Sequence, residues 1–346
     1  MSDAIETYLL PTAFVSRDPN ILLIGMDIGS SGFARFPDGS TSIDHIARIL
    51  GEGGHLIVNP WWYAVGNAIW DERLGRIAEI FGDRRATHAH FFCNCPTEVA
   101  YIRENFGIDA LLLSHNNFVQ DRKFRVETRA KTYLAVYNAK VSWVKRHWLA
   151  EKVNNVAMIY PPYSTNEDHF RWMKHVVSGG RFLNGDPFSP DYKYFSSEQV
   201  CDVLNSARVG LCLSEQEGAM YASIEYLLCG LPVVSTRNTG GRDQYFDDLY
   251  CRTVEADPEA IAAAVEELAA QNFDPHLIRA RTMAKIEAGR EKFIAFIDAI
   301  QRANGKPAGG AAALERIMDT PWAIWVGRTI PQIGSEYQAC AAAAQA

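Results

Sequence analysis

The sequence lacks several features, and each absence narrows the reading. No apolar run reaches about 18 residues, so no membrane-spanning helix is expected, while peripheral contact with a membrane stays open. Basic residues are not in excess: 34 Lys and Arg stand against 41 Asp and Glu, for a net charge of −7. A global field for nucleic acid is therefore excluded, and any anion site must be local. Paired cysteine spacing is missing. The seven cysteines, at positions 93, 95, 201, 212, 229, 251 and 340, are scattered and partly sit in apolar runs, which points to a reducing, cytoplasmic setting rather than a disulfide framework. The first ten residues carry Asp3 and Glu6 and no basic stretch, so no signal peptide is expected there. There is no Gly-x-Ser-x-Gly elbow, which removes the usual hydrolase, and Gly29-x-x-Gly32 is not a dinucleotide fingerprint. His88, His90, Cys93 and Cys95 have the residue types of a zinc site. On a strand, however, the histidines share one face and the cysteines the other, so no metal is expected.

What is present is a chain of 346 residues that is 48% hydrophobic, enough for two α/β domains. Short β-type runs alternate with helical ones, the pattern of doubly wound α/β domains with parallel sheets. Strands are expected over 20–26, 55–59, 88–93, 110–114, 133–139, 156–160, 181–184, 209–213 and 232–235. Helices are expected over 42–50, 67–81, 98–106, 144–153, 167–177, 196–207, 220–229, 257–270 and 276–303. A last helix is expected over 314–326, kinked or broken at Pro321, and the Ala-rich 337–346 should fray. Trp61, Trp62, Tyr63 and Trp70 could offer a stacking surface to a ligand, although aromatic core packing is the default.

The chemistry concentrates in Leu211 to Asp248. A strand ends near Leu213, a polar loop leads to Glu217-Gly218, and a helix follows. Glu217 falls in the loop and Glu225 two turns into the helix, so both carboxylates can face the space beyond the carboxyl ends of the strands. The helix start at Gly218-Ala219-Met220 offers N–H groups and a positive dipole end to a phosphate. A carboxylate at Glu225 suits a ribose diol, and one at Glu217 suits sugar hydroxyls. A buried strand, Gly230-Leu231-Pro232-Val233-Val234, leads to a second glycine loop at Gly240-Gly241.

This segment resembles the C-terminal domain of the retaining GT-B glycosyltransferases of the glycosyltransferase 4 family. Their signature is Glu-Gly, a second Glu eight residues after the first, Gly-x-Pro-Val-Val and a Gly-Gly loop. The Asp-Pro cap and Ala-rich helix near 257–270 are also similar. The resemblance implies a GT-B fold, α/β with two Rossmann-like domains facing each other across a cleft. It places a shortened N-terminal acceptor-side domain at 1–130, a nucleotide-sugar-binding domain at 131–305 and a tail at 306–346 with a helix crossing back to the N-terminal domain. It implies transfer of a sugar from a nucleotide-diphospho-sugar to a glycan, lipid-linked or small-molecule acceptor, with retention and without a metal or cofactor. Glu225, Lys140, Lys145, Gly218, Ala219, Gly240 and Gly241 would bind the donor, and Glu217 and His115 would act in catalysis. The family places a Gly-Arg pair and a later Lys on the diphosphate. Here Ala139-Lys140 stands in place of Gly-Arg, and a Lys side chain lacks the bidentate fork. A non-catalytic glycosyltransferase-like binding protein and a sugar-nucleotide epimerase stay open as alternatives.

Overall fold

The computed structural model describes residues 5, 7–27, 29, 32–82, 87–162, 166–319 and 326–343, apart from the side chains of 339–343. The chain divides into two compact units, residues 1–118 with 287–346, and residues 119–286. The first unit contains β1 (Leu10–Arg17), β2 (Asn20–Met26), β3 (Gly54–Pro60), β4 (Thr87–Cys93) and β5 (Asp109–Leu112). The second contains β6 (Tyr133–Asn138), β7 (Val156–Ile159), β8 (Gly180–Phe182), β9 (Ala207–Cys212), β10 (Gln216–Glu217), β11 (Val233–Thr236), β12 (Thr239–Gly240) and β13 (Cys251–Val254). A last strand, β14 (Val326–Arg328), returns to the first unit.

The sheet of the first unit has the order β14-β1-β2-β3-β4-β5. β2 to β5 run parallel, and β1 is antiparallel to both β2 and β14. β3 is buried along its whole length, as a central parallel strand covered on both faces must be. One face packs Ile43, Ile46, Leu50, Trp70, Leu74 and Ile77 from the helices Ser42–Leu50 and Ala68–Phe81. The other packs Phe293, Ile297, Ala313 and Ile317 from Pro275–Ala303 and Gly310–Met318.

The second unit has the order β13-β11-β9-β6-β7-β8, all parallel. Numbered within the unit this is 3-2-1-4-5-6 read from β8, the doubly wound Rossmann order. Its strand order reverses between β6 and β9, the position at which open α/β sheets seat ligands.

Several local expectations need correction. β1 was not expected; Pro11, Thr12 and Ser16 interrupt its apolar pattern, yet it pairs with β2 over most of its length. The helix expected over 144–153 is instead two single-turn 3-10 segments, Trp143–Lys145 and His147–Ala150. They are separated by Arg146, whose φ of 46° is left-handed and cannot continue a helix. The last helix expected over 314–326 ends at Met318, and Val326 already belongs to β14. Its expected kink at Pro321 lies outside the described residues. Of the Ala-rich end, the residues up to Ala343 belong to the helix Ile330–Ala343, anchored by the Tyr337 hydroxyl donating to the Ile21 carbonyl at 2.9 Å, and 344–346 lie outside the described residues.

Candidate functional site

The residues singled out in the second unit converge on the reversal point between β6 and β9. Lys140 and Lys145 follow β6, while Glu217, Gly218 and Ala219 follow β9 and lead into the helix Tyr221–Leu228. The helix is fixed against the end of β6 by two neighbouring side chains. The Tyr226 hydroxyl accepts from the Asn138 N–H at 2.7 Å, and Glu225 Oε2 accepts from Asn138 Nδ2 at 3.3 Å. Burial pushes the Glu225 carboxyl up to about 7, opposed by that hydrogen bond from Asn138.

Glu217 and Lys145 meet directly. Lys145 Nζ forms a short ion pair with Glu217 Oε1, and the Ser214 hydroxyl donates to the same oxygen. Both partners are buried, Lys145 at 8% exposure and Glu217 at 4%. A buried ion pair survives only with well-placed partners, because desolvation costs several kcal/mol per ion. Here the Tyr137 hydroxyl holds the backbone of Lys145, donating to its carbonyl at 2.5 Å. Lys145 and Glu217 thus neutralise one another across the reversal point, in an arrangement that spacing alone does not reveal. Lys140 is partly exposed, two residues beyond the end of β6.

The two glycine loops form one platform. β10 and β12 pair in parallel, with Gln216 opposite Thr239 and Glu217 opposite Gly240. The Thr239 N–H donates to the Glu215 carbonyl at 2.9 Å, and the Gly241 N–H donates to the Gly218 carbonyl at 2.7 Å. Gly240 has φ +125°, and a Cβ there would lie 1.7 Å from the Glu217 carbonyl oxygen, so no other residue fits. Met220 has φ +53° just before the helix, an uncommon conformation for a side-chain-bearing residue, and Ser223 Oγ donates to its carbonyl at 2.8 Å.

Sequence reasoning missed the group that ties this platform to the sheet. Arg242 is fully buried. Its guanidinium donates to the Ser214 carbonyl at 2.9 Å, Ser235 Oγ at 2.8 Å and the Thr236 carbonyl at 2.5 Å, and pairs with Asp243 at 3.0 Å. Arg146, the residue after Lys145, has a similar task. It donates to the Leu213 carbonyl at 2.7 Å and Thr236 Oγ1 at 2.8 Å. An Arg one residue beyond the Gly-Gly pair was the only signal for Arg242, and its carbonyl partners are invisible in sequence. At the far end of the helix, Arg279 donates to the Leu228 carbonyl at 2.7 Å, a cation on the negative end of the dipole. His147 is buried against Tyr137, and desolvation drops its ring to about 3, so it stays neutral.

His115 belongs to the first unit. It opens the 3-10 turn His115–Phe118 beyond β5, is buried, and its N–H donates to Asn94 Oδ1 at 3.2 Å. Glu98 closes the same edge, accepting from the Ala64 and Asn94 N–H groups at 3.1 and 2.7 Å. Trp70 is core, as its position in the helix pattern suggests. His88 and His90 stack with His55, at centroid distances of 4.7 and 5.3 Å from it, while Cys93 and Cys95 are buried free thiols. Among the described residues no group of three or more His, Cys, Asp or Glu side chains is placed to hold a metal ion. None of the described helices is long and apolar enough to cross a membrane.

Residues 191–271, the stretch that holds Glu217, Glu225 and both glycine loops, match the family described as Glycosyl transferases group 1. The structure is similar to sucrose-phosphate synthase from Thermosynechococcus elongatus, with 15% identity, 83% of this chain and 68% of that chain covered, and a TM-score of 0.50. It is also similar to the N-terminal domain of Candida albicans trehalose-6-phosphate phosphatase, with 12% identity, 72% and 66% covered, and a TM-score of 0.51. No curated protein matches the chain. The fold is that of the GT-B glycosyltransferases, two α/β units each built on a largely parallel sheet. The family match over the candidate site and this fold together indicate a glycosyltransferase.

Proposed function

We propose that the chain transfers a sugar from a nucleotide-diphospho-sugar to a carbohydrate acceptor, with retention at the anomeric carbon. The observation that carries this reading is the pairing of Lys145 with Glu217, just before the Gly218–Met220 turn, at the strand-order reversal of the second unit, with Glu225 held to the end of β6 by Asn138. In this reading the diphosphate takes Lys145, with Lys140 beside it, and the N–H groups at the start of the helix Tyr221–Leu228. Glu225 takes the ribose hydroxyls. Ala219, Gly240 and Gly241 line the approach, since backbone without bulky side chains lets phosphate and sugar come close. Glu217, once its lysine turns to the phosphates, is released toward the sugar. The protein then supplies position and a preorganised positive field for the departing diphosphate. His115 of the first unit contributes to turnover, and the acceptor set extends to lipid-linked or small molecules. The setting is cytoplasmic, with any membrane contact peripheral.

The test is release of nucleoside diphosphate from a panel of nucleotide-sugars offered with candidate acceptors. Glu217→Ala and His115→Ala should each lower transfer by roughly 100-fold, about 2.7 kcal/mol of barrier, while leaving nucleotide-diphosphate affinity nearly intact. Transfer at the parent rate in both variants rejects the assignment.

One observation favours a second reading. Glu217 is almost wholly buried and its Oε1 is already engaged by Lys145 and Ser214, and Ala139-Lys140 stands where the resembling family has Gly-Arg. A glycosyltransferase-like binding protein would show saturable nucleotide binding with no transfer to any acceptor.

A further inference from the structure

The chain has eight tryptophans, and two in the second unit are held in solvent. Trp143 is 59% exposed and Trp172 is 37% exposed. Trp143 opens the single-turn segment after β6, and Trp172 lies on the outer face of the helix Glu167–Val176 after β7. Their ring centroids are 4.8 Å apart with planes inclined by 42°. The His169 ring lies against Trp143 at 4.0 Å and 9°, a parallel stack. Trp148 flanks the pair at 6.2 and 6.1 Å.

The imidazole covers one face of the Trp143 indole, so the exposure of Trp143 belongs to what remains. The stack also fixes the ring, so a ligand meeting it loses little side-chain entropy to order it. His169 is itself buried, and its Nε2 has no hydrogen-bond partner among the described residues. Two large apolar rings packed against one another at a tilt and left exposed, with an unsatisfied nitrogen on the ring stacked against one of them, are not explained by core packing.

We propose that Trp143 and Trp172 form a stacking platform for a pyranose ring of a neutral oligosaccharide. A pyranose has a flat face of C–H groups that packs on the electron-rich face of an indole, while its hydroxyls radiate to water at the rim. The charge around the platform fits a neutral ligand. The exposed positions of the helix carry Glu167 and Asp168 with Arg171 and Lys174, two acids against two bases, without the basic excess that an anionic bilayer draws. The platform is also continuous with the candidate donor seat. The Val144 carbonyl, next to Trp143, accepts from the Glu215 N–H at 3.2 Å, which ties the platform's turn to the loop bearing Glu217. A glycan lying on the rings would start at the rim of that loop. The choice of a carbohydrate rests on the glycosyl-transfer reading; the platform rests on its own geometry.

Calorimetry on the full chain with maltoheptaose and cellohexaose, with and without UDP, tests this. Saturable binding of at least one probe is expected. Trp143→Ala and Trp172→Ala should each weaken it about tenfold or more, and Trp143→Phe should recover most of it. Thermal melts confirm that the variants fold, and UDP affinity should match the parent in all three. Four results overturn the platform: no saturable binding of either probe, binding unchanged in both alanine variants, loss of UDP affinity in Trp143→Ala, or binding only to phosphatidylserine vesicles. The third would make Trp143 a nucleobase platform and the fourth a membrane contact. Oligosaccharide binding in a chain that binds no nucleoside diphosphate would reject the donor site and leave the platform standing.

Discussion

At the residue scale the ion pair between Lys145 and Glu217 governs what single substitutions do. Removing one partner leaves the other charge buried, which costs about 3–5 kcal/mol, whereas removing both with isosteric apolar or amide groups costs much less. Lys145→Ala should therefore lower the unfolding free energy more than Lys145→Met combined with Glu217→Gln, as a denaturant series would show. The same pair predicts the direction of a binding effect. If a diphosphate takes the Lys145 ammonium it competes with Glu217 for it, so Glu217→Gln should bind UDP no more weakly than the parent; a marked loss of affinity would mean that Glu217 itself holds the nucleotide. Glu225 adds a pH dependence. Its carboxyl moves from an ordinary 4.5 up to about 7 on folding, so the folded chain binds more protons than the unfolded chain between those values. Its contribution to stability is present below pH 4.5 and falls as pH rises through about 7. Burial pushes Glu98 in the same direction, also to about 7. If the Glu225 carboxylate accepts ribose hydroxyls, UDP affinity should rise as pH passes about 7, and Glu225→Gln should remove that part of the rise. The Glu-to-Glu spacing made both carboxylates legible in the sequence. Their partners could not be read as such: Asn138 and Lys145 belong to β6 and the segment after it, while Ser214, three residues before Glu217, shows its bond only once the loop is folded.

At the scale of elements, the glycine loop is where backbone geometry matters most. Gly240→Ala combines a backbone conformation that L-residues rarely adopt with a Cβ placed 1.7 Å from the Glu217 carbonyl. The strand pair β10–β12 should break, with a loss of about 3 kcal/mol or more and of nucleotide binding. Gly39→Ala is the control. It also has a positive φ, of 84°, but nothing lies within 4 Å of the new Cβ, so about 1 kcal/mol is expected. Thermal melts of the two variants make the comparison. Elements with a clean period were readable: the helices Ser42–Leu50 and Ser197–Asn205 even show the capping boxes that Thr41 with Asp44 and Ser196 with Gln199 imply. Elements decided by tertiary contacts were not. The segment after β6 looks helical until Arg146 is seen bonded to the ends of β9 and β11, which fixes its left-handed backbone. β1 depends on a partner from the far end of the chain, β14, on its outer side.

At the scale of the whole molecule, alternation of strand and helix was enough to give two α/β units, because each buried parallel strand leaves a short apolar run and each covering helix an amphipathic one. The order of strands within a sheet leaves no such trace. It is that order, reversing between β6 and β9, which turns residues 72 positions apart, Lys145 and Glu217, into neighbours. The central claim is that this reversal point seats a nucleoside diphosphate. Calorimetry of the full chain against UDP, GDP, ADP, CDP and TDP, each paired with its monophosphate, tests it most directly. At least one diphosphate should bind, its monophosphate should bind about tenfold or more weakly, and Lys145→Ala should erase most of that difference. Equal affinity for a diphosphate and its monophosphate, or no binding of any of the five, would contradict the account.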